Sequence, residues 1–88
     1  MRYLVDWSDD ALDGLSAAWV AVADKIAVNE ADREITHLLA RDPFDVGFHA
    51  SEGLRQLDVW PLRAYYSVDV ANRKVEVLQI AFFDEPVP

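Results

Sequence analysis

The fold is decided by residues 62–70, which read LRAYYSVDV. Apolar side chains alternate with polar ones, among them Arg63 and Tyr65, and this period of two predicts a strand with one buried face. Residues 71–73 (ANR) form a short reversal, so the apolar run at residues 75–83 is expected to pair with that strand in antiparallel orientation. The two segments predict an antiparallel sheet in the second half of the chain.

Upstream of that sheet, the apolar residues recur with the period of an α-helix. Ser8 is a natural N-cap for a first helix, and Trp19 of that helix is expected in the core. A second helix is predicted from about Asp24 until shortly before Pro43, because the residue before a proline disfavours helical geometry. As an αα-hairpin, the helices are expected to share one apolar stripe: Leu12, Leu15, Trp19, Val22, Val28, Ala31, Ile35, Leu38 and Leu39.

The remaining segments complete the predicted order of elements. Residues 2–7 predict a short first strand, and residues 42–47 predict a turn that leaves His49 in a loop after the helices. Residues 57–59 lead into the Trp-Pro pair at 60–61, a turn or strand break. The expected order is β-α-α-β-β-β, an α+β fold in which a helical hairpin packs on a mainly antiparallel twisted sheet.

The composition favours one small domain and excludes several classes of protein. The chain has 88 residues and is 52% hydrophobic, which favours a packed core over disorder. It has no cysteine, so a disulfide scaffold and a thiolate nucleophile are excluded. The longest apolar run, residues 17–23, is too short to cross a bilayer, and residues 1–6 do not resemble a signal peptide. We expect a cytoplasmic domain over residues 1–83, no membrane association, and a loose tail over 84–88.

The charge of the chain is −8 and is unevenly distributed. Residues 1–46 contain ten acidic and four basic residues, whereas residues 47–83 contain four of each. Nucleic-acid affinity depends largely on Lys and Arg, which displace counterions from phosphates. Direct sequence-specific DNA binding is therefore not expected, and any anion-binding surface is expected in the second half of the chain.

Two arginines and two tyrosines in the second half form the candidate site: Arg55, Arg63, Tyr65 and Tyr66. The alternation places Arg63 and Tyr65 on the face opposite Tyr66, and Arg55 comes from the preceding segment. Guanidinium groups beside phenols on an open sheet can bind phosphates and stabilise a phosphorane-like transition state. His49 could reach the sheet as a general base.

The alternative interpretation is that these residues form a solvent-exposed polar face with no catalytic or binding role. In that case Arg55 and Arg63 are paired with Glu52, Asp58 or Asp69. The aspartates near the start of the first helix are explained by helix capping. The sequence has no glycine-rich phosphate loop and no zinc-protease motif, so we expect neither a cofactor nor a metal ion.

The order of several motifs resembles a known family. After a strand that ends in Trp-Ser and two helices come LLARDP at residues 38–43, Gly47, PLRAYYSVD at residues 61–69 and VEVLQI at residues 75–80. This pattern resembles the RelE/ParE superfamily of toxins from type II toxin–antitoxin systems, over residues 3–83. The resemblance implies the same strand and helix order with a concave sheet, and a cognate antitoxin protein as partner.

The resemblance implies more than one function. RelE-like members cleave mRNA in the ribosomal A site, and ParE-like members inhibit DNA gyrase. The first implies a metal-independent endoribonuclease that inhibits translation with ribosome and mRNA as partners. The alternatives are a non-enzymatic gyrase inhibitor and a degenerate homologue that binds its antitoxin without toxicity.

Only some residues of this chain match the functional positions of the RelE/ParE pattern. Arg63 falls on the strand arginine that RelE-type nucleases use against the scissile phosphate. Together with Arg55 it would supply positive charge, while Tyr65, Tyr66 or His49 would transfer protons. Two departures from the family pattern keep the two alternative functions open. Arg55 is the only basic residue of the preceding strand, and Phe-Phe replaces the basic pair that is common at the end of the final strand.

Overall fold

The computed structural model describes residues 2–83 and confirms the α+β class. The predicted tail at residues 84–88 lies outside the described residues. The elements in chain order are β1 (Leu4–Trp7), α1 (Asp9–Ala21), α2 (Lys25–Arg41), β2 (Phe48–Ser51), β3 (Leu54–Val59), β4 (Leu62–Asp69) and β5 (Lys74–Phe82).

The strands form one five-stranded sheet in the order β1-β5-β4-β3-β2. β1 runs parallel to β5, and the other neighbouring strands are antiparallel, so the prediction of a mainly antiparallel sheet is confirmed. Both helices pack on one side of the sheet, which we call the covered face. The opposite side, which no other element among residues 2–83 covers, is the open face.

The predicted order missed one strand. β2 pairs with β3 in antiparallel orientation, with a bulge between His49 and Ser51. It has only four residues, Phe-His-Ala-Ser, and all are exposed, so neither a long alternation nor a buried face marks it. Gly53, with φ of 72°, provides the left-handed conformation for the tight turn between the two strands. His49 therefore lies in an edge strand, and its prediction as a loop residue was wrong.

The helix boundaries follow local capping chemistry. The Ser8 side chain accepts a hydrogen bond from the Ala11 amide at the start of α1, and Asp24 caps α2 in the same way. α2 ends at Arg41, shortly before Pro43, as predicted. No helix within residues 2–83 has the length and hydrophobicity needed to cross a membrane.

α1 is rotated relative to the predicted apolar stripe. Its buried residues are Ala11 and Ala18, whereas Leu12 is 47% and Trp19 38% exposed. The cause is close packing on β5, since a Cβ at Gly14 would overlap the carbonyl oxygen of Ile80. Small side chains allow this approach, and Leu12 and Trp19 are turned outward. The prediction of Trp19 as a core residue was wrong.

The two helices also pack on different parts of the sheet. α1 contacts mainly β5, and α2 contacts β1, β3 and β4. The expected stripe is confirmed in part: its α2 half and Val22 are in the core and Leu15 packs against it, whereas Leu12 and Trp19 are exposed. The buried residues of α2 are Val28, Ala31, Ile35 and Leu39.

Candidate functional site

Strand alternation divides the predicted site between the two faces of the sheet. In the β3–β4 register, Arg55 lies opposite Tyr66 and Asp58 lies opposite Arg63. Tyr66 is fully buried, so Arg55 shares the covered face with it. Arg63 and Tyr65 extend from the open face, as the alternation predicts. Arg55 and Arg63 therefore do not converge on one site.

Arg55 and Tyr66 anchor the segment between α2 and β2. The Tyr66 hydroxyl lies 2.7 Å from the Pro43 carbonyl oxygen and 3.0 Å from that of Val46, and it accepts a hydrogen bond from Arg55 Nε at 3.2 Å. Arg55 Nη2 donates to the carbonyl oxygens of Phe44 and Val46 at 3.2 and 3.3 Å. These contacts satisfy carbonyl groups that the turn leaves unpaired, so both side chains have a structural role.

The anchored segment, residues 42–47, is shaped by its own sequence as well. The Asp42 carboxylate accepts hydrogen bonds from the backbone amides of Phe44 and Asp45, each at 3.2 Å. Gly47 adopts φ of 69°, and a Cβ there would lie 2.8 Å from the Tyr66 hydroxyl. Glycine is needed at this position for both its left-handed conformation and its lack of a side chain.

His49 lies near Arg55 and away from Arg63. It is paired with Arg55 in the β2–β3 ladder. Both residues line a cavity of about 220 Å³ at the edge of the sheet, together with Phe44, over whose ring the Arg55 guanidinium lies at 5.6 Å. The structure thus groups His49, Arg55 and Tyr66 on the covered face, and leaves Arg63 and Tyr65 on the open face.

Arg63 is held by a carboxylate on the neighbouring strand. Its Nε donates to Asp58 Oδ1 at 2.8 Å and its Nη2 to Asp58 Oδ2 at 3.2 Å. The side chains of Arg63 and Asp58 are 37% and 31% exposed. Two parallel N–H···O bonds are the geometry in which a guanidinium binds a carboxylate most specifically. The pairing with Asp58 that was considered from the sequence is therefore present.

Further contacts fix the same pair. The Gln56 amide nitrogen donates to Asp58 Oδ1 at 3.2 Å, and the Arg63 guanidinium lies 5.5 Å from the centre of the Phe83 ring. The hydrogen bond with Asp58 raises the pKa of Arg63, and Tyr65 adds to the shift. Arg63 therefore stays cationic, with its charge directed at a protein carboxylate.

The open face as a whole is acidic. The charged residues that the strand register places there are Asp6, Asp58, Asp69, Glu76, Arg63 and Lys74. Both cations are in ion pairs, Arg63 with Asp58 at 2.8 Å and Lys74 with Asp6 at 3.9 Å. A surface with four carboxylates and two neutralised cations repels a polyphosphate.

The arrangement limits the chemistry that the open face can perform. In-line cleavage of RNA needs a base, a cation free to stabilise the phosphorane, and an acid. Arg63 and Tyr65 are adjacent on the open face, but Arg63 is bound to Asp58 and His49 lies on the other face. Among residues 2–83 no group of His, Asp and Glu side chains is arranged to hold a metal ion. The open face therefore presents an adjacent guanidinium and phenol, Arg63 and Tyr65, with the guanidinium paired to the Asp58 carboxylate.

No protein-family model matches the sequence, and the search of curated proteins finds no relative. Solved structures do match. The RelBE2 toxin–antitoxin complex from Mycobacterium tuberculosis aligns with a TM-score of 0.75 at 22% identity, over 94% of this chain and 100% of the matched chain. The chain has the RelE/ParE toxin fold.

Other structures with the RelE/ParE fold align similarly. The chromosomal ParDE system from P. aeruginosa matches with a TM-score of 0.64 at 20% identity, over 94% of this chain and 98% of the matched chain. The YoeB/ParE toxin from Agrobacterium tumefaciens matches with a TM-score of 0.67 at 20% identity, over 91% and 98%. The fold predicted from the resemblance is thereby confirmed.

Asp58 and Phe83, which contact Arg63, were not assigned a role from the sequence. Asp58 was considered only as one of three partners for the arginines, and Phe83 only as a departure from the RelE/ParE pattern. A signal for Asp58 does exist, because Asp58 and Arg63 lie at equal distances from the turn at residues 60–61. Residues so placed in a β-hairpin face each other across the strands.

Proposed function

We propose that this chain is the toxin component of a type II toxin–antitoxin system and that it acts by binding a protein target. A cognate antitoxin is its expected partner. Its fold is that of RelE, ParE and YoeB toxins over more than nine-tenths of the chain, which supports the first part of the proposal. The bidentate Arg63–Asp58 pair supports the second part.

The charge of the open face favours a protein target over RNA. An arginine acts on RNA through its free N–H groups, and two of those of Arg63 are bonded to Asp58. Phosphate binding at Arg63 would require this pair to open, on a face that also carries Asp6, Asp69 and Glu76 towards the other end of β4. A protein surface needs only complementary charge and shape. DNA gyrase is the protein target that the resemblance implies.

Ribosome-dependent mRNA cleavage is the second candidate, and one observation favours it. Arg63 and Tyr65 extend side by side from β4 on the open face, at the strand position that the resemblance connects with cleavage. In this candidate the charge would come from Arg63 and a proton transfer from Tyr65. Arg55 and Tyr66 are engaged in holding residues 42–47, and so contribute less than the sequence implied.

The test is inducible expression of the protein and its variants in a bacterial host. We expect growth arrest with the parent protein and equal arrest with Arg63→Ala, because a protein-binding toxin does not depend on a free guanidinium. Arg33→Ala, which removes an exposed arginine from α2, is the matched control. Soluble yield and circular dichroism establish that each variant is folded.

Two results contradict the proposal. Arrest that disappears in folded Arg63→Ala but persists in Arg33→Ala supports mRNA cleavage in place of a protein target. No arrest with the parent protein supports the degenerate homologue. Labelled leucine and thymidine incorporation then identify the process that stops first, since an effect on DNA topology should stop thymidine incorporation before leucine incorporation.

A further inference from the structure

The outer side of α1 carries two large apolar residues, Leu12 and Trp19, that the core leaves partly exposed. Leu12 and Trp19 are seven residues apart, or two helical turns, so they lie on one side of the helix; we call these two residues the outer stripe. Leu15, which lies between them, packs against the core. Leu12 is 47% and Trp19 38% exposed, and Leu15 is partly buried. Apolar residues at helical spacing on a surface helix usually mark the face that packs against another part of the protein or a partner.

The fold cannot cover this stripe by rotating α1. The residues of α1 that approach β5 most closely are small, namely Ala11, Gly14 and Ala18, and Gly14 allows no added methyl group beside the Ile80 carbonyl. Placing Leu12 or Trp19 against β5 would insert a large side chain where even a Cβ does not fit. The outer stripe is therefore available to another molecule.

The charge around the outer stripe selects the kind of partner. α1 contains three aspartates, Asp9, Asp10 and Asp13, and no basic residue. All three are exposed. At the other end of the helix, the Lys25 ammonium donates to the carbonyl oxygens of Trp19 and Val22, so its charge is engaged with the end of α1. The stripe is apolar with an acidic border.

We propose that the outer stripe of α1 docks a basic amphipathic helix of a partner protein, which under the proposed function is the antitoxin. Its apolar side chains would cover Leu12 and Trp19, and its lysines or arginines would face Asp9 and Asp13. A second copy of this chain does not fit, because two α1 helices would bring six aspartates together. The acidic residues of α1 would thus select a basic antitoxin helix.

The experiment uses the full chain and a labelled peptide of about sixteen residues, with Leu at helical spacing and Lys on both sides of the apolar face. A second peptide replaces each Lys with Glu, and a third scrambles the basic sequence. Fluorescence anisotropy measures the affinity of each. We expect the basic amphipathic peptide to bind about tenfold or more tightly than either control.

Variants of the chain locate the binding surface. Leu12→Ser should weaken binding of the basic peptide about tenfold, as expected when an apolar anchor is lost. Ile26→Ser, which removes an apolar residue of α2 that is 72% exposed, is the matched control and should leave the affinity unchanged. Asp13→Lys should reduce the preference for the basic over the acidic peptide, whereas Asp45→Lys, in the segment after α2, should not.

Equal binding of the basic and scrambled peptides would overturn the proposal. An equal loss of affinity for the basic peptide in Leu12→Ser and Ile26→Ser would also overturn it. The Asp13→Lys variant keeps the proposal testable if Leu12→Ser does not fold, since Asp13 is an exposed surface residue. Growth arrest does not enter the measurement. Failure of peptide binding would therefore leave the proposed function standing, and loss of toxicity would not affect this result.

Discussion

The covered and open faces of the sheet each carry one arginine of the β3–β4 hairpin, and the two are bound in different ways. Arg55 donates to the Tyr66 hydroxyl and to two backbone carbonyl oxygens, so it is part of the fold. Arg63 is held in solvent by the carboxylate of Asp58. Arg55 and Arg63 are eight positions apart across a turn. Strand register therefore decides the role of each arginine more than residue type does.

The largest expected effect comes from removing the buried tyrosine of the covered face. Tyr66→Ala should reduce the free energy of unfolding by about 3–5 kcal/mol, because it creates a cavity and leaves the Pro43 and Val46 carbonyls without this donor. Tyr65→Ala, on the open face of the same strand, should cost less than about 1 kcal/mol. Urea denaturation measures both. Similar losses in the two variants would contradict the assignment of faces.

Loss of the covered-face arginine should have an intermediate effect on the free energy of unfolding. Arg55→Ala should cost about 1–3 kcal/mol, because it removes hydrogen bonds to two carbonyl oxygens of residues 42–47 and to the Tyr66 hydroxyl. Hydrogen exchange should increase in residues 42–47. The control is Arg33→Ala on α2, which should change neither quantity. Unchanged exchange in Arg55→Ala would show that this arginine does not anchor the segment.

Loss of the open-face arginine should change stability least among these variants. Arg63→Ala and Asp58→Ala should each cost less than about 1 kcal/mol, because exposed ion pairs contribute little after solvent screening. Raising the salt concentration should reduce the difference from the parent protein further. A loss as large as that of Arg55→Ala would contradict the comparison between the faces.

The smallest effect concerns pH. The Asp69 carboxylate accepts hydrogen bonds from the side chain and the backbone amide of Asn72, and these bonds lower its pKa in the folded state. Its contribution is therefore present above the pKa of the unfolded chain, about 3.9, and is lost as the pH falls through the folded value. Asp69→Asn should flatten the acid side of the stability profile slightly. A profile identical to that of the parent would remove Asp69 as a contributor.

Much of the fold could be predicted because local signals agree with the packing. The alternation in β4, the cap at Ser8 and the stop at Pro43 all correspond to observed elements. β2 could not be predicted, since its residues are exposed on both sides and its position depends on pairing with β3. Trp19 was misplaced because the pattern of large apolar residues takes no account of Gly14, which sets how closely α1 approaches β5.

The candidate site was less predictable than the fold. The separation of Arg63 and Tyr65 from Tyr66 follows from alternation within one strand. The position of Arg55 depends on the register between β3 and β4, which no single segment specifies. The neutralisation of Arg63 by Asp58 depends on the same register, as does the grouping of His49 with Arg55.

The central claim is that Asp58 neutralises Arg63 and that the open face does not cleave RNA. The most direct test adds the purified protein to a bacterial cell-free translation reaction and maps mRNA 5′ ends by primer extension. We predict the same ends with and without the protein. New ends that appear only on translated mRNA, and that disappear with folded Arg63→Ala, would contradict the claim.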